Sequence, residues 1–168
     1  MSAPVVIFAI GNPSRGDDAI GPVLLERLAA WLDDKGLAGQ FELIEDFQLQ
    51  IEHSLDLLDR RLALFIDAGE GTPAPYSFRR IEAAVGITHT THELPPEAVL
   101  QVFKQTEMVE PPPSFTLCVR GESFELGEAL SAAAEAHAAA AFALLGELCA
   151  EAVADAWAAR QTPLAAKV

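Results

Sequence analysis

"PVVIFAIGNPSRGDD", residues 4–18, decides how this chain is read. Its first seven residues form a short, branched, uninterrupted apolar run, the pattern of a strand buried on both faces. Gly11, Pro13 and Gly16 then turn the chain. Beyond them Ile20, Leu24, Leu28 and Trp31 recur at helical spacing, so a helix is expected from about Asp18 into the Asp33 region, closed by Gly36 and Gly39. A strand, a glycine turn and a helix in this order can bind a pyrophosphate at the helix start. Here the G-x-G-x-x-G spacing is missing, and Asp17 and Asp18 stand where the anion would sit. Two carboxylates there repel phosphate and favour a cation.

Working outward, "FELIED" (41–46) and "LALFID" (62–67) read as further strands, and "FTLCVRG" (115–121) as another. "YSFRRIEA" (76–83) alternates and suits a more exposed edge strand. "IEHSLDLLDR" (51–60) reads as a short amphipathic helix. A second helix begins at Pro95–Pro96 and runs to about Gln105, since proline is tolerated in the first helical turn. "EPPPS" (110–114) is a stiff connector. The last helix is long, with Ser131 as N-cap and Phe142, Leu145, Cys149 and Val153 as its apolar stripe.

Strands alternating with helices predict an α/β fold: a single-domain three-layer sandwich with a mostly parallel twisted sheet of about five strands and helices on both faces. The domain is expected to span residues 1–160, with a flexible tail over 161–168. In such sheets ligands bind beyond the carboxyl ends of the strands.

Composition narrows the function. The chain has 168 residues, 51% of them hydrophobic, enough for one substantial core. Its formal charge is −14, from 25 acidic and 11 basic residues, which repels nucleic acid and anionic lipid. No apolar run approaches the ~20 residues of a membrane span. The N-terminus lacks the basic region of a signal peptide. Cys118 and Cys149 are too few and too scattered for a disulfide framework or a zinc knuckle, and are expected as buried thiols. A cytoplasmic location follows as the simplest expectation.

Neither a Walker-type phosphate loop nor a G-x-S-x-G nucleophile elbow is present. What remains is a set of groups at strand ends: Asp18 at a helix start, Asp67 closing a strand, and "THTTHE" (88–93). Two carboxylates and an imidazole suit Zn, Ni, Mn or Fe. Taken singly, each has a blander explanation. An Asp at a helix start is usually a cap, and an Asp after a strand can simply begin a turn. Two successive acids resist that explanation, because only one can be the N-cap.

"IGNPSRGDDAIG", then "FIDAG", then "TTHELPP", then "RGESFELGEALS", taken in this order, resemble the hydrogenase maturation endopeptidases. Members of that family remove a C-terminal extension from the large-subunit precursor of nickel–iron hydrogenases. The resemblance implies that Asp18, Asp67 and His92 are the metal-binding trio, with His89 an ordinary loop residue. It implies that nickel arrives with the substrate precursor, and that Cd or Zn can stand in for it. Asp17 is read as a cap or support; for the cut itself either the nickel acts as a Lewis acid or activates a water, or Asp17 or Asp18 serves as general base. Where many relatives carry a glycine-rich loop, this chain has "DFQLQIEHSLDL" (46–57), which resembles the subgroup serving cytoplasmic, NAD(P)-linked bidirectional hydrogenases. Phe47, Gln48, Leu49 and Gln50 are candidate specificity residues there, while packing is the simpler role for Leu49 and Ile51. A monomer that meets the precursor transiently is expected. The competing readings are a small-molecule metallohydrolase using the same trio, and a non-catalytic metallochaperone or scaffold for hydrogenase assembly.

Overall fold

The computed structural model describes residues 2–84 and 94–164. Five strands form one sheet in the order β2-β1-β3-β5-β4: β1 (Val5–Ile10), β2 (Phe41–Asp46), β3 (Leu62–Gly69), β4 (Tyr76–Ile81) and β5 (Ser114–Arg120). The first four in that order run parallel, and β4 lies antiparallel at the edge. Four helices, α1 (Ile20–Asp34), α2 (Pro96–Glu107), α3 (Ala132–Ala150) and α4 (Ala154–Ala158), complete the described elements, with short 3-10 turns between them. The mostly parallel five-stranded α/β sandwich read from the sequence is the observed architecture.

Side-chain alternation along the strands sorts the apolar residues into two cores. Val5, Ile7 and Ala9 face one side with Leu64, Ile66, Leu117 and Val119, where Leu24 and Leu28 of α1 and Leu145 and Leu148 of α3 pack on them. Val6, Phe8 and Ile10 face the other side with Phe65, covered by Leu49, Leu57 and α2 residues Val99, Leu100 and Phe103. All six residues of β1 are buried, which explains why its run is apolar without alternation.

Several elements differ from their sequence pattern. Residues 16–19 form a 3-10 turn, and α1 starts only at Ile20. Gly16 adopts φ +53°, and a Cβ there would sit 2.6 Å from the Ser123 carbonyl, so this turn is shaped by a distant loop. The amphipathic helix expected over residues 51–60 is a 3-10 turn over Ile51–Leu57. Val153 does not extend the α3 stripe: α3 ends at Ala150, and Val153 caps α4. That reversal returns Trp157 to the core, where it meets Phe78 and Phe115 edge-on and donates its indole N–H to the Leu148 carbonyl at 2.8 Å. By length and composition α3 would suffice to cross a membrane, against the expectation from the raw sequence. Only part of that helix is buried: Ala134, Ala138, Ala141, Leu144, Leu145 and Leu148 pack into the first core, while Ala132, Ala133, Ala136, Ala139 and Ala143 are exposed.

At residues 161–162, where fraying was expected to begin, the chain bonds to the outer edge of β4. Thr162 donates its N–H to the Phe78 carbonyl at 2.9 Å and accepts the Phe78 N–H at 3.0 Å through its hydroxyl. Of the two cysteines, Cys149 is buried, which pushes its thiol up to about 12. Cys118 is only partly buried, one strand away from Asp67.

Candidate functional site

Near the carboxyl ends of β2 and β3, on either side of β1, stand two acidic residues: Asp46 closes β2, and Asp67 lies two residues before the end of β3. Ile10 pairs with Asp46 across β1 and β2, and Ala9 pairs with Ile66 across β1 and β3, so Asp67 stands level with Ile10 on the other side. Asp46 and Asp67 fall in the same alternation as Ile10 and Phe65, and therefore share one sheet face. Two strand spacings separate them, about 10 Å between Cα atoms. The entry of α1 lies over the same edge. A Cβ on Gly21 would approach the Ile10 carbonyl at 2.7 Å and the Ile66 carbonyl at 3.4 Å, so only a glycine lets the helix come this close. Asp18 sits one turn before Gly21. The fold thus brings Asp18 and Asp67 to one edge of the sheet.

The two adjacent acids have unlike surroundings. Asp17 is fully buried. Its Oδ2 accepts the backbone N–H groups of Glu122 and Ser123 at 2.7 and 3.0 Å and the Ser131 hydroxyl at 2.7 Å, while its Oδ1 accepts the Ser131 N–H at 2.7 Å. Burial pushes its carboxyl up, but the Ser131, Glu122 and Ser123 amides and the Ser131 hydroxyl outweigh that and hold it below its ordinary 3.8. Ser131 is also the α3 N-cap, accepting the Ala134 N–H at 3.1 Å. Asp17 therefore ties the first loop to the start of the last helix. With its two oxygens engaged by four donors, Asp17 fits the cap-or-support reading, and its carboxylate is turned to the Ser131 loop.

Asp18 is half-buried, and its Oδ2 accepts the Asn12 N–H at 2.8 Å. The turn that holds it depends on Gly11, whose φ is +149°. A Cβ at Gly11 would overlap the carbonyl oxygen of Asp18. Gly11→Ala is expected to cost about 3 kcal/mol in chemical denaturation, because backbone, not a movable side chain, blocks the methyl.

Asp67 is exposed, and its Oδ1 accepts the Ala68 N–H at 2.8 Å. Behind it, burial pushes the Cys118 thiol up; the Thr72 hydroxyl, 3.2 Å from the sulfur, opposes this, and the negative charge of Asp67 adds to it. A thiol in that state is not an activated nucleophile. His92, the third member of the expected trio, and His89 lie outside the described residues. Among the described residues no group of three or more His, Cys, Asp or Glu side chains converges on a cation position.

The four candidate specificity residues separate in the same way. Phe47 is 62% exposed, and Gln48 and Gln50 are exposed, whereas Leu49 is buried against the second core. Leu49 therefore packs, as its simpler reading holds. Ile51, expected to pack with it, is 58% exposed. Two residues of the same segment escaped the sequence reading. Asp46 closes β2 on the face shared with Asp67, and His53 is buried with its Nε2 3.4 Å from Asp46 Oδ2. Gln50 and His53, three apart at a helix entry, carried a readable signal: each side chain caps the other's backbone N–H.

No protein-family model and no curated protein sequence matches the chain. Solved structures do share its fold. The NiFe hydrogenase maturation protease HycI from Thermococcus kodakarensis KOD1 matches with a TM-score of 0.65 at 23% identity, over 89% of this chain and 94% of its own. The hydrogenase maturating endopeptidase HybD from E. coli matches with a TM-score of 0.65 at 22% identity, over 86% and 90%. HybD from Thermococcus kodakarensis matches with a TM-score of 0.64 at 19% identity, over 89% and 99%.

Proposed function

We propose that this chain is a hydrogenase maturation endopeptidase, which removes the C-terminal extension of a nickel-loaded large-subunit precursor. The observation that carries the reading is the unequal setting of the adjacent acids. Asp17 is consumed by the Ser131 loop, while Asp18 is held half-buried at the sheet edge it shares with Asp67. Such an edge suits a cation brought to it. The shared fold with the two maturation proteases named HybD and with HycI supports the assignment of the reaction.

In this reading the nickel is part of the substrate. Asp18, Asp67 and His92 add two carboxylates and an imidazole to a metal already held by the precursor. Three such ligands suit a borderline divalent ion, and Cd or Zn serve as surrogates. Docking the metal fixes the scissile bond beside the site, and that orientation lowers the barrier by several kcal/mol. Water then adds to the peptide carbonyl and the C–N bond breaks, which releases the extension. The exposed Phe47, Gln48 and Gln50 contact the precursor and select it, and the segment "DFQLQIEH" (46–53) directs the enzyme to an NAD(P)-linked bidirectional hydrogenase. The enzyme works as a cytoplasmic monomer in a transient complex.

The test is to mix the protein with nickel-loaded and nickel-free precursor and read the intact mass. Shortening of the loaded form alone is the expected result. A precursor bound but never shortened makes the chain a scaffold, and turnover of simple esters with a resident metal makes it a small-molecule hydrolase.

A further inference from the structure

The proposed site leaves one buried titratable group unused. His53 is only 6% exposed in the crossover between β2 and β3, with its ring edge-on to Phe8 of β1 at 5.7 Å. Its Nδ1 accepts the backbone N–H of Gln50 at 2.8 Å. A ring nitrogen that accepts carries no proton, so the neutral ring bears its proton on Nε2. His53 Nε2 lies 3.4 Å from Asp46 Oδ2, and Asp46 Oδ1 accepts the Phe47 N–H at 2.7 Å. One imidazole thus caps the 3-10 turn through one nitrogen and sets the other beside a carboxylate. Asp46 keeps 39% of its side chain exposed, so a substrate group can reach it.

We propose that His53 is a positioning residue of the site: as the Nε2–H tautomer it aims Asp46 at the strand-end mouth that Asp67 also faces, and Asp46 anchors a cationic or N–H-bearing group of the precursor's C-terminal segment. This rests on the peptidase reading. The spacing fits an extended peptide. About 10 Å separates the two strand ends, and three extended residues span about 10 Å. A peptide whose metal-bound end lies at Asp67 therefore passes Asp46 about three residues away. The charge of −14 favours a basic group at that point. At 3.4 Å the pair is an electrostatic contact, and engagement of the anchor is expected to shorten it.

Two substitutions divide the duties of the ring. Asn places an acceptor near Nδ1 and nothing near Nε2; Gln places a donor near Nε2 and no acceptor near Nδ1. His53→Asn is expected to keep its melting temperature but raise KM for the nickel-loaded precursor about tenfold with little change in kcat, the cost of a misplaced anchor. Asp46→Asn is expected to match it. His53→Gln is expected to melt earlier yet keep a KM close to that of the unmodified protein. If His53→Asn processes the precursor normally, or if both variants lose activity in step with stability, the proposal is overturned and the peptidase reading stands. If the unmodified protein leaves the precursor uncut, the peptidase reading falls. A second measurement does not depend on activity. Long-range proton–nitrogen correlation spectra of the unmodified protein are expected to show Nε2 protonated and Nδ1 bare at neutral pH, and a proton on Nδ1 overturns the proposal.

Discussion

Asp67→Ala is expected to give a folded protein that no longer shortens the nickel-loaded precursor. The loss in rate is expected to be roughly 10³-fold, the scale seen when a group acting directly on the reacting centre is removed. Stability is expected to move by about 1 kcal/mol or less, because an exposed side chain at a strand end buries no apolar surface. The backbone at this position is secured by its neighbours instead. Ala68 and Gly69 continue the parallel pairing of β3 with β5, opposite Val119 and Arg120. A time course of precursor mass, with a denaturation curve on the same sample, separates loss of chemistry from loss of fold. Rapid processing by Asp67→Ala removes this residue from the site.

The second large effect falls on stability and comes from Asp17. Asp17→Asn leaves its carbonyl oxygen to accept from the Ser131 loop but turns an N–H₂ toward groups that themselves donate. Unpairing buried polar groups on this scale costs about 4 kcal/mol. Asp18→Asn, half-buried with its Oδ2 bonded to Asn12, is expected to cost less than about 1 kcal/mol and to block processing instead. The acid dependence has a definite sign. Because the folded carboxyl titrates below 3.8, the unfolded chain takes up its proton first as pH falls. The stabilisation from Asp17 is therefore complete above that ordinary value and is lost as pH drops through the lower folded one. Denaturant midpoints measured down that range are expected to fall more steeply for the unmodified protein than for Asp17→Asn. Equal slopes would show that Asp17 is not ionised in the folded state.

Much of this was legible in the chain itself, for a physical reason. Strands buried on both faces have no need of alternation, so β1 and most of β3 declare themselves as short apolar runs bounded by turns. The acid pair at the first helix was also legible, because its charge opposes the usual occupant of such a turn. The resemblance also implied a division of labour within the pair, but the partners that hold Asp17 were not legible. Asp17 is claimed by Glu122, Ser123 and Ser131, more than a hundred residues away, and no local spacing reports that closure. The same holds for Trp157, whose burial depends on α4 folding back over Phe78 and Phe115. His53 lies between these cases. Its reciprocal cap with Gln50 is a local pattern, but the approach of its ring to Asp46 depends on Phe8 beneath it.

The central claim is that the Asp18–Asp67 edge, with His92, completes the coordination of nickel delivered by the precursor. X-ray absorption at the nickel edge tests it most directly, on a nickel-loaded precursor altered at its cleavage site so that it is bound but not cut. Addition of this protein is expected to bring oxygen and nitrogen scatterers into the first coordination sphere beside sulfur, and Asp67→Ala is expected to remove part of them. A nickel spectrum unchanged by a stoichiometric excess of the protein, in a complex verified by gel filtration, would contradict it.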